Sequence, residues 1–271
     1  MSESGYSSDE DCFYRDELVR LKRSIRVRGL LRKGAHGDIF VGAMRNEAKT
    51  AVILKVTKKR KCTTSFLNGR RVPNEAKFHY LAHQADPSGT VGYLDCFERV
   101  ADFVIVMEKP SNSLDLLEFV NEYGQIDHKM ASHIATQLAE STRLYKNVNI
   151  AHCDVKDENV LFNPLTGQTK IIDFGNATWF DKVTRESFGT PAFNPSELRS
   201  CAREFSVDSC TVYNIGCIIY TLLTASSPFY EGVEFDFQRH VQLNGSLDRS
   251  ERHLLSKLLT HCVNRVQLNQ L

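Results

Sequence analysis

The residues best suited to chemistry lie in one short run, His152-Cys153-Asp154-Val155-Lys156-Asp157-Glu158-Asn159, and in Asp173-Phe174-Gly175, which begins nineteen residues after Asp154. Carboxylates and a carboxamide are hard oxygen donors, and two or three of them brought together can hold a divalent cation. A lysine beside them can neutralise phosphate oxygens, and a separate carboxylate can accept a hydroxyl proton. Metal, charge neutralisation and a positioned nucleophile are the parts that phosphoryl transfer requires. Standing alone, Asp173-Phe174-Gly175 would be an ordinary turn; the run upstream gives it weight. Nearer the start, Arg32-Lys33-Gly34-Ala35-His36-Gly37-Asp38-Ile39-Phe40 contains glycines that let a backbone approach phosphates closely.

Such residues work only if folded elements hold them. Apolar and β-branched runs at 29–31, 39–41 and 50–56, broken by a Gly-containing turn and by Arg45-Asn46-Glu47, predict a strand meander. Pro73 suits the first turn of a helix that runs through Phe78 and Leu81, and strands resume at 91–97 and 103–107. Beyond Pro110 the period becomes helical. Leu114, Leu117 and Phe119 begin it, and Met130, Ile134, Leu138 and Tyr145 fall on one helix face. Val160-Leu161-Phe162 and Lys170-Ile171-Ile172 flank a turn at 163–167, so the polar run precedes a hairpin and Asp173 follows it. Residues 208–224 and the leucines at 254, 255, 258 and 259 predict two further helices. The expected fold is α+β and bilobal: a small β-rich N-lobe with one main helix at 25–108 and a larger, mostly helical C-lobe at 109–271.

The 271 residues are 42% hydrophobic and 25% charged, which excludes wholesale disorder, collagen-like repeats and a small disulfide scaffold. No run reaches 18 apolar residues, and the best candidate, 210–225, is broken by Asn214, so no membrane association is expected. The polar, acidic start is not a secretory signal. Eight cysteines without a CxxC read as reduced thiols of a cytoplasmic or nuclear protein. The net charge of +1 hides a division: residues 1–20 carry −4, 21–71 carry +13 and 72–271 carry −8. Residues 1–24, with Ser7-Ser8-Asp9-Glu10-Asp11, read as a flexible acidic tail. Lys58-Lys59-Arg60-Lys61 is a solvated loop, a nuclear import signal or, last, a nucleic-acid patch, which would want interleaved aromatics.

In their order and spacing, the segments 30–42, 71–75, 103–110, 152–159 and 172–175 resemble the eukaryotic protein kinases of serine/threonine type, and among them the PIM family. The resemblance spans about residues 28 to 260. It implies ATP and Mg2+ as cofactors. Lys55 would hold the α- and β-phosphates with Glu75 as its helix partner, Asp154 would be the catalytic base, and Asn159 and Asp173 would hold Mg2+. Lys156 matches the lysine of serine/threonine specificity, Thr190 the threonine that braces the catalytic loop, and Glu197 the acid closing the activation segment. Gly34 and Gly37 fill two of three glycine positions over the nucleotide. The first is Arg32, which either clamps a phosphate or stiffens the turn. His36 would be a loop-tip contact, and Leu31 and Ile39 would line the nucleotide site. Met107 would back the adenine and the Glu108 carbonyl would accept from its amine. Pro110, shared with PIM kinases, removes one donor there. Asp115 would lie near ribose or substrate, or cap a helix start; both can hold.

Three departures shape further expectations. Cys153 stands where an arginine usually pairs with an activation-loop phosphate, so activity should not require phosphorylation of Thr184 or Ser187, and Cys153 itself should serve packing. Thr211 lies where many kinases place an aspartate that ties down the catalytic loop. The chain stops soon after Cys262, short of the usual last helix. Asp115, Glu118, Asp157, Glu158 and Glu234 supply acids that would favour basic protein substrates. The chain is expected to be a monomer that does not bind nucleic acid. The alternative to an active kinase is a pseudokinase or scaffolding module, motivated by Arg32 and Cys153.

Overall fold

The computed structural model describes residues 8–34, 37–45, 50–199, 205–227, 238–242, 244–260 and 265–270. Ser7, His36, Asn46, Glu47, Glu234 and Cys262, each drawn on above, lie outside them. The chain folds as two compact units, one of Met1–Tyr80 with Val91–Pro110, the other of Leu81–Thr90 with Ser111–Leu271. Residues 81–90, read above as part of the first lobe, thus belong with the second unit.

The first unit begins with a correction. Residues 8–24 are not a flexible tail but a helix, α1 (Ser8–Ser24). Glu17, Leu21 and Ile25 are buried, with Tyr14 and Leu18 half-buried, and this i, i+4, i+8 stripe is the spacing of one helix face. The strands follow: β1 (Ile25–Gly34), β2 (Gly37–Met44), β3 (Ala51–Lys58), β4 (Thr64–Leu67) and β5 (Arg70–Pro73). Helix α2 (Asn74–Ala85), of which the residues up to Tyr80 belong to this unit, β6 (Tyr93–Glu98) and β7 (Asp102–Glu108) complete its elements. Five strands make an antiparallel sheet in the order β1-β2-β3-β7-β6. Leu21 and Ile25 pack with Val52, Leu54, Phe97, Val104 and Val106 on one face. Val72 of β5 and Ala76 of α2 pack with Cys96, Phe103 and Ile105 on the other. Burial on both faces is why β3 reads as a nearly continuous apolar run. The β4–β5 hairpin was not anticipated. Its turn is Asn68-Gly69, with φ of 49° and 77°, the left-handed pair that a two-residue hairpin turn needs.

The second unit contains β8 (Leu114–Asp115), α3 (Leu116–Tyr123), α4 (His128–Asn147) and β9 (Ile150–Ala151). Then come β10 (Val160–Asn163), β11 (Gln168–Ile171), β12 (Thr178–Trp179), α5 (Ser196–Arg199), α6 (Val207–Thr224) and α7 (Arg249–Leu259). Of the expected stripe on α4, Ile134, Leu138 and Tyr145 are buried, joined by Ala131 and Ala135, while Met130 is half-buried. Strands β10 and β11 pair as the anticipated hairpin, with β8 added on the β10 side. Helix α6 is long and apolar enough to cross a membrane, but 78% of it is buried within the protein. Its Asn214 donates to the Phe193 carbonyl at 2.5 Å, so the polar residue that interrupts the apolar run is satisfied internally.

Candidate active site

In the first unit, β3 and α2 bring Lys55 and Glu75 together. Lys55 Nζ lies 2.6 Å from Glu75 Oε1, with the two side chains 5% and 10% exposed. The position follows from the pleat: Lys55 pairs with Ile39 on β2 and Ile105 on β7, and its neighbours Leu54 and Val56 face the other side. Asn74 sets the start of α2. Its backbone N–H donates to the Thr63 carbonyl and its side chain to Thr63 Oγ1, both at 2.9 Å. Gly34 and Gly37 pair across the β1–β2 turn. Gly37 has φ 152°, and a Cβ there would sit 2.6 Å from the Val56 carbonyl oxygen, so β3 itself demands glycine at this position. Leu31 is exposed and Ile39 half-buried. At the end of β7 the Glu108 N–H donates to the Gly92 carbonyl at 2.8 Å and the Lys109 N–H to Ala51 at 3.3 Å.

In the second unit the polar run forms one hydrogen-bonded cluster around Asp154. Oδ1 accepts from Thr190 Oγ1 at 2.6 Å, and Oδ2 accepts from Asn159 Nδ2 at 3.1 Å and from Asn176 Nδ2 at 3.4 Å. Lys156 Nζ is 3.9 Å from Asp154 Oδ2 and 3.0 Å from Glu158 Oε2. Burial acts to lower the Lys156 pKa, but the Glu158 hydrogen bond and the charges of Asp154, Glu158 and Asp157 outweigh it, so the ammonium is held charged. Gly189 makes the approach possible: a Cβ there would lie 2.4 Å from Asn176 Nδ2 and 2.9 Å from Asp154 Cγ. His152 is buried. Its Nε2 bonds the Ile172 carbonyl at 3.1 Å and its Nδ1 accepts the Asp154 N–H at 3.3 Å, which assigns the ring proton to Nε2. Burial lowers its pKa and keeps the imidazole neutral. The ring meets Phe174 edge-on at 4.9 Å, and Phe174 meets Tyr145 at 5.7 Å.

The Asn159 carbonyl accepts from the N–H of Ile172, the residue before Asp173, at 2.9 Å. The Asn159 NH2 is spent on the Asp154 carbonyl and carboxylate, which leaves Oδ1 for a cation. Asp173 is left-handed, φ 61° and ψ 82°, and its Oδ1 accepts from Gly175 N at 3.1 Å. Cys153 is left-handed too, φ 62°. Non-glycine residues in this region each cost about 1–3 kcal/mol and gather where side chains must be aimed. Among the described residues no three His, Cys, Asp or Glu side chains form a metal cage. Two oxygen donors completed by phosphates and water suit Mg2+, so the donor set fits that ion.

Several expected acids have other duties. Asp157 is 8% exposed, and burial pushes its carboxyl up to about 6, so it is not a groove acid. Asp115 caps α3, accepting from Glu118 N at 2.7 Å. Thr211 donates to Val207 within its own helix and does not reach the catalytic loop. Glu197 is fully buried against Arg265, Oε1 to Nη1 at 2.5 Å, and Arg265 also donates to Ser209 O and Oγ at 2.8 Å. Asn176, Gly189 and Arg265 were not picked out as functional positions. The first two adjoin Gly175 and Thr190 and were legible by position; Arg265, 68 residues from Glu197, carries no local signal.

Cys153 packs with Ala151, Phe188, Leu198 and Cys210, and Phe180, Val183, Phe205 and Val207 pack around that cluster. Arg185 Nη1 donates to the Glu197 and Leu198 carbonyls at 2.5 and 3.0 Å, and its guanidinium lies 5.1 Å from the Phe205 ring centre.

The protein kinase domain family matches residues 26–266, and the chain belongs to the protein kinase family. It is of the serine/threonine type. It is 28% identical over 214 residues to serine/threonine-protein kinase pim-2 of Danio rerio, covering 76% of this chain and 69% of that protein. It is 27% identical over 211 residues to serine/threonine-protein kinase prk-2 of Caenorhabditis elegans, covering 78% of this chain and 47% of that protein. It is 31% identical over 165 residues to serine/threonine-protein kinase dkf-2 of Caenorhabditis briggsae, covering 58% of this chain and 13% of that protein. Among solved structures, Rad53 1-466 in complex with AMP-PNP matches with a TM-score of 0.70 at 20% identity, covering 91% of this chain and 63% of that one. That likeness shows the protein kinase fold.

Proposed function

We propose that the chain transfers the γ-phosphoryl group of ATP to serine and threonine hydroxyls of basic proteins, without requiring phosphorylation of its own activation loop. The observation that carries the reading is the state of Asp154. Thr190, Asn159 and Asn176 fix its carboxylate, which can accept the proton of an incoming hydroxyl while Lys156 offsets negative charge on the transferring group. Lys55, held by Glu75, takes the α- and β-phosphates. Asn159 and Asp173 would hold Mg2+, which neutralises phosphate charge when bound. Asp154, Lys156, Asn159 and Asp173 are all present, and Asp154 contacts both Lys156 and Asn159, which supports catalysis over a scaffolding role. The chain acts as a monomer in the cytoplasm or nucleus; Cys62, Cys96, Cys153, Cys210 and Cys217 are free thiols.

Loop independence rests on the apolar cluster around Cys153. Phe188 and Leu198 are each 7% exposed there, so packing holds the segment where an arginine–phosphate pair otherwise would. Thr184 and Ser187 bond each other in a capping box. Replacing both with alanine should change kcat less than tenfold; a larger loss refutes this part. The basic preference rests on Glu118, which is exposed, and Glu158. Glu158→Lys should shift a peptide-library profile away from arginine and lysine, and an unchanged profile would reject its role.

A further inference from the structure

Among the described residues of the first unit, a charged network outside the catalytic residues joins α1 to the strand that leads into α2. Glu17, on α1, is 9% exposed. Its Oε2 accepts from Arg70 Nη2 at 3.0 Å, from Arg20 Nη2 at 3.2 Å and from the Glu98 N–H at 3.3 Å. Arg70 also donates to Asp95 Oδ1 at 3.0 Å and to the Cys96 carbonyl at 2.6 Å. Beside it, Glu98 Oε1 meets Arg71 Nη2 and Lys59 Nζ, each at 2.7 Å, and Lys59 bonds the Tyr14 hydroxyl of α1 at 3.1 Å. Arg20 lies over the Phe97 ring at 4.3 Å.

The network is aimed at one place. Arg70 and Arg71 open β5, β5 passes into α2 with no intervening residue, and Glu75 is the second residue of that helix. Val72 and Ala76, on either side of the junction, are buried in one cluster, so the junction cannot swing without opening the core. The direction in which Glu75 leaves the sheet toward Lys55 is therefore set from two ends: by Asn74 on Thr63, and by Arg70 on Glu17. A lone carboxylate this buried is costly unless it is paired, and Glu17 finds its partners on β5, β6 and α1 itself.

We propose that Glu17 and Arg70 are positioning residues for the Lys55–Glu75 pair, and that α1 is a brace through which the segment preceding the catalytic core sets nucleotide affinity. The proposal rests on the reading of Lys55 as a phosphate-binding group. The test is the affinity of the full chain for AMP-PNP with Mg2+, with kcat/KM for ATP measured alongside. Glu17→Ala and Arg70→Ala should each weaken affinity by about 3- to 30-fold, the range of coupling through such networks. The double variant should be no weaker than the weaker single one, because the two act as a unit. In a Glu75→Gln background, Glu17→Ala should have no further effect. Should Glu17→Ala unfold, Glu17→Gln keeps the shape, removes the charge and carries the same comparison. Unchanged affinity in a folded variant, or an equal loss with and without Glu75, overturns the brace. If Lys55→Ala weakens affinity while the Glu17 and Arg70 variants do not, the brace alone falls. If Lys55→Ala leaves affinity unchanged, the phosphate-binding reading falls and the brace with it.

Discussion

The Lys55–Glu75 pair gives the sharpest perturbation within the first unit. The side chains are 5% and 10% exposed and 2.6 Å apart, so Glu75→Ala leaves a buried ammonium without its carboxylate. Removing one partner of such a pair typically costs about 3–5 kcal/mol, against roughly 5–15 kcal/mol for a whole domain. With a urea dependence of about 2–3 kcal/mol per molar, the unfolding midpoint should fall by roughly 1–2.5 M. Removing both charges should behave differently. Lys55→Met with Glu75→Leu exchanges the ion pair for apolar groups of similar volume, and such swaps are often neutral or stabilising by about 1–4 kcal/mol. The double variant should therefore unfold at higher urea than Glu75→Ala while its phosphotransfer falls at least about tenfold, since the lysine proposed to hold the phosphates is gone. Urea unfolding followed by fluorescence and circular dichroism, beside a kinase assay, reads both quantities. A Glu75→Ala cost under about 1 kcal/mol, or a double variant weaker than either single one, refutes the burial argument.

Thr190→Ala removes the 2.6 Å bond to Asp154, a charge-assisted interaction of about 1.5–3 kcal/mol, so kcat should drop roughly 10- to 100-fold, with Thr190→Ser restoring most of it; equal losses in both variants would show that the hydroxyl is not what matters. Gly189→Ala should be at least as damaging, because its Cβ would meet Asn176 and Asp154 below 3.0 Å, and steady-state kinetics should show the loss in kcat rather than KM. Burial pushes the Cys153 thiol up to about 12, which leaves about one part in 10⁴ as thiolate at pH 8. Iodoacetamide mapped by mass spectrometry should leave Cys153 unmodified in the folded protein and modify it in urea; labelling of the native protein would contradict the packing role.

How much was legible in the sequence depended on whether the signal was local. The spacing of Asp154, Asn159 and Asp173 around a hairpin survives folding because the hairpin is short and self-paired; Asn159 bonds Asp154 directly, and its carbonyl accepts from Ile172, the residue before Asp173. The β1-to-β3 meander was legible from its apolar runs. Helix α1 was not, because its buried stripe includes Glu17, and an acid at a core position looks like tail composition until Arg70 is placed beside it. Asn68-Gly69 is a strong turn signal that a helix-oriented reading of Pro73 overlooked. Asp157 was counted as surface charge because residue type alone says nothing of burial. Within the basic excess of residues 21–71, Lys59, Arg70 and Arg71 are spent internally on Glu98, Glu17 and Asp95, which residue type and charge counts do not reveal.

The central claim is that Asp154 and Asp173 serve one phosphoryl transfer. Incubation with γ-labelled ATP, Mg2+ and an arginine-rich serine peptide should move label to the peptide serine. Asp154→Asn should lower the rate by about 10²- to 10⁴-fold with the protein still folded. Asp173→Ala should abolish detectable transfer across all Mg2+ concentrations. Label transfer that persists at the original rate in either variant, or no transfer by the unaltered chain, would contradict it.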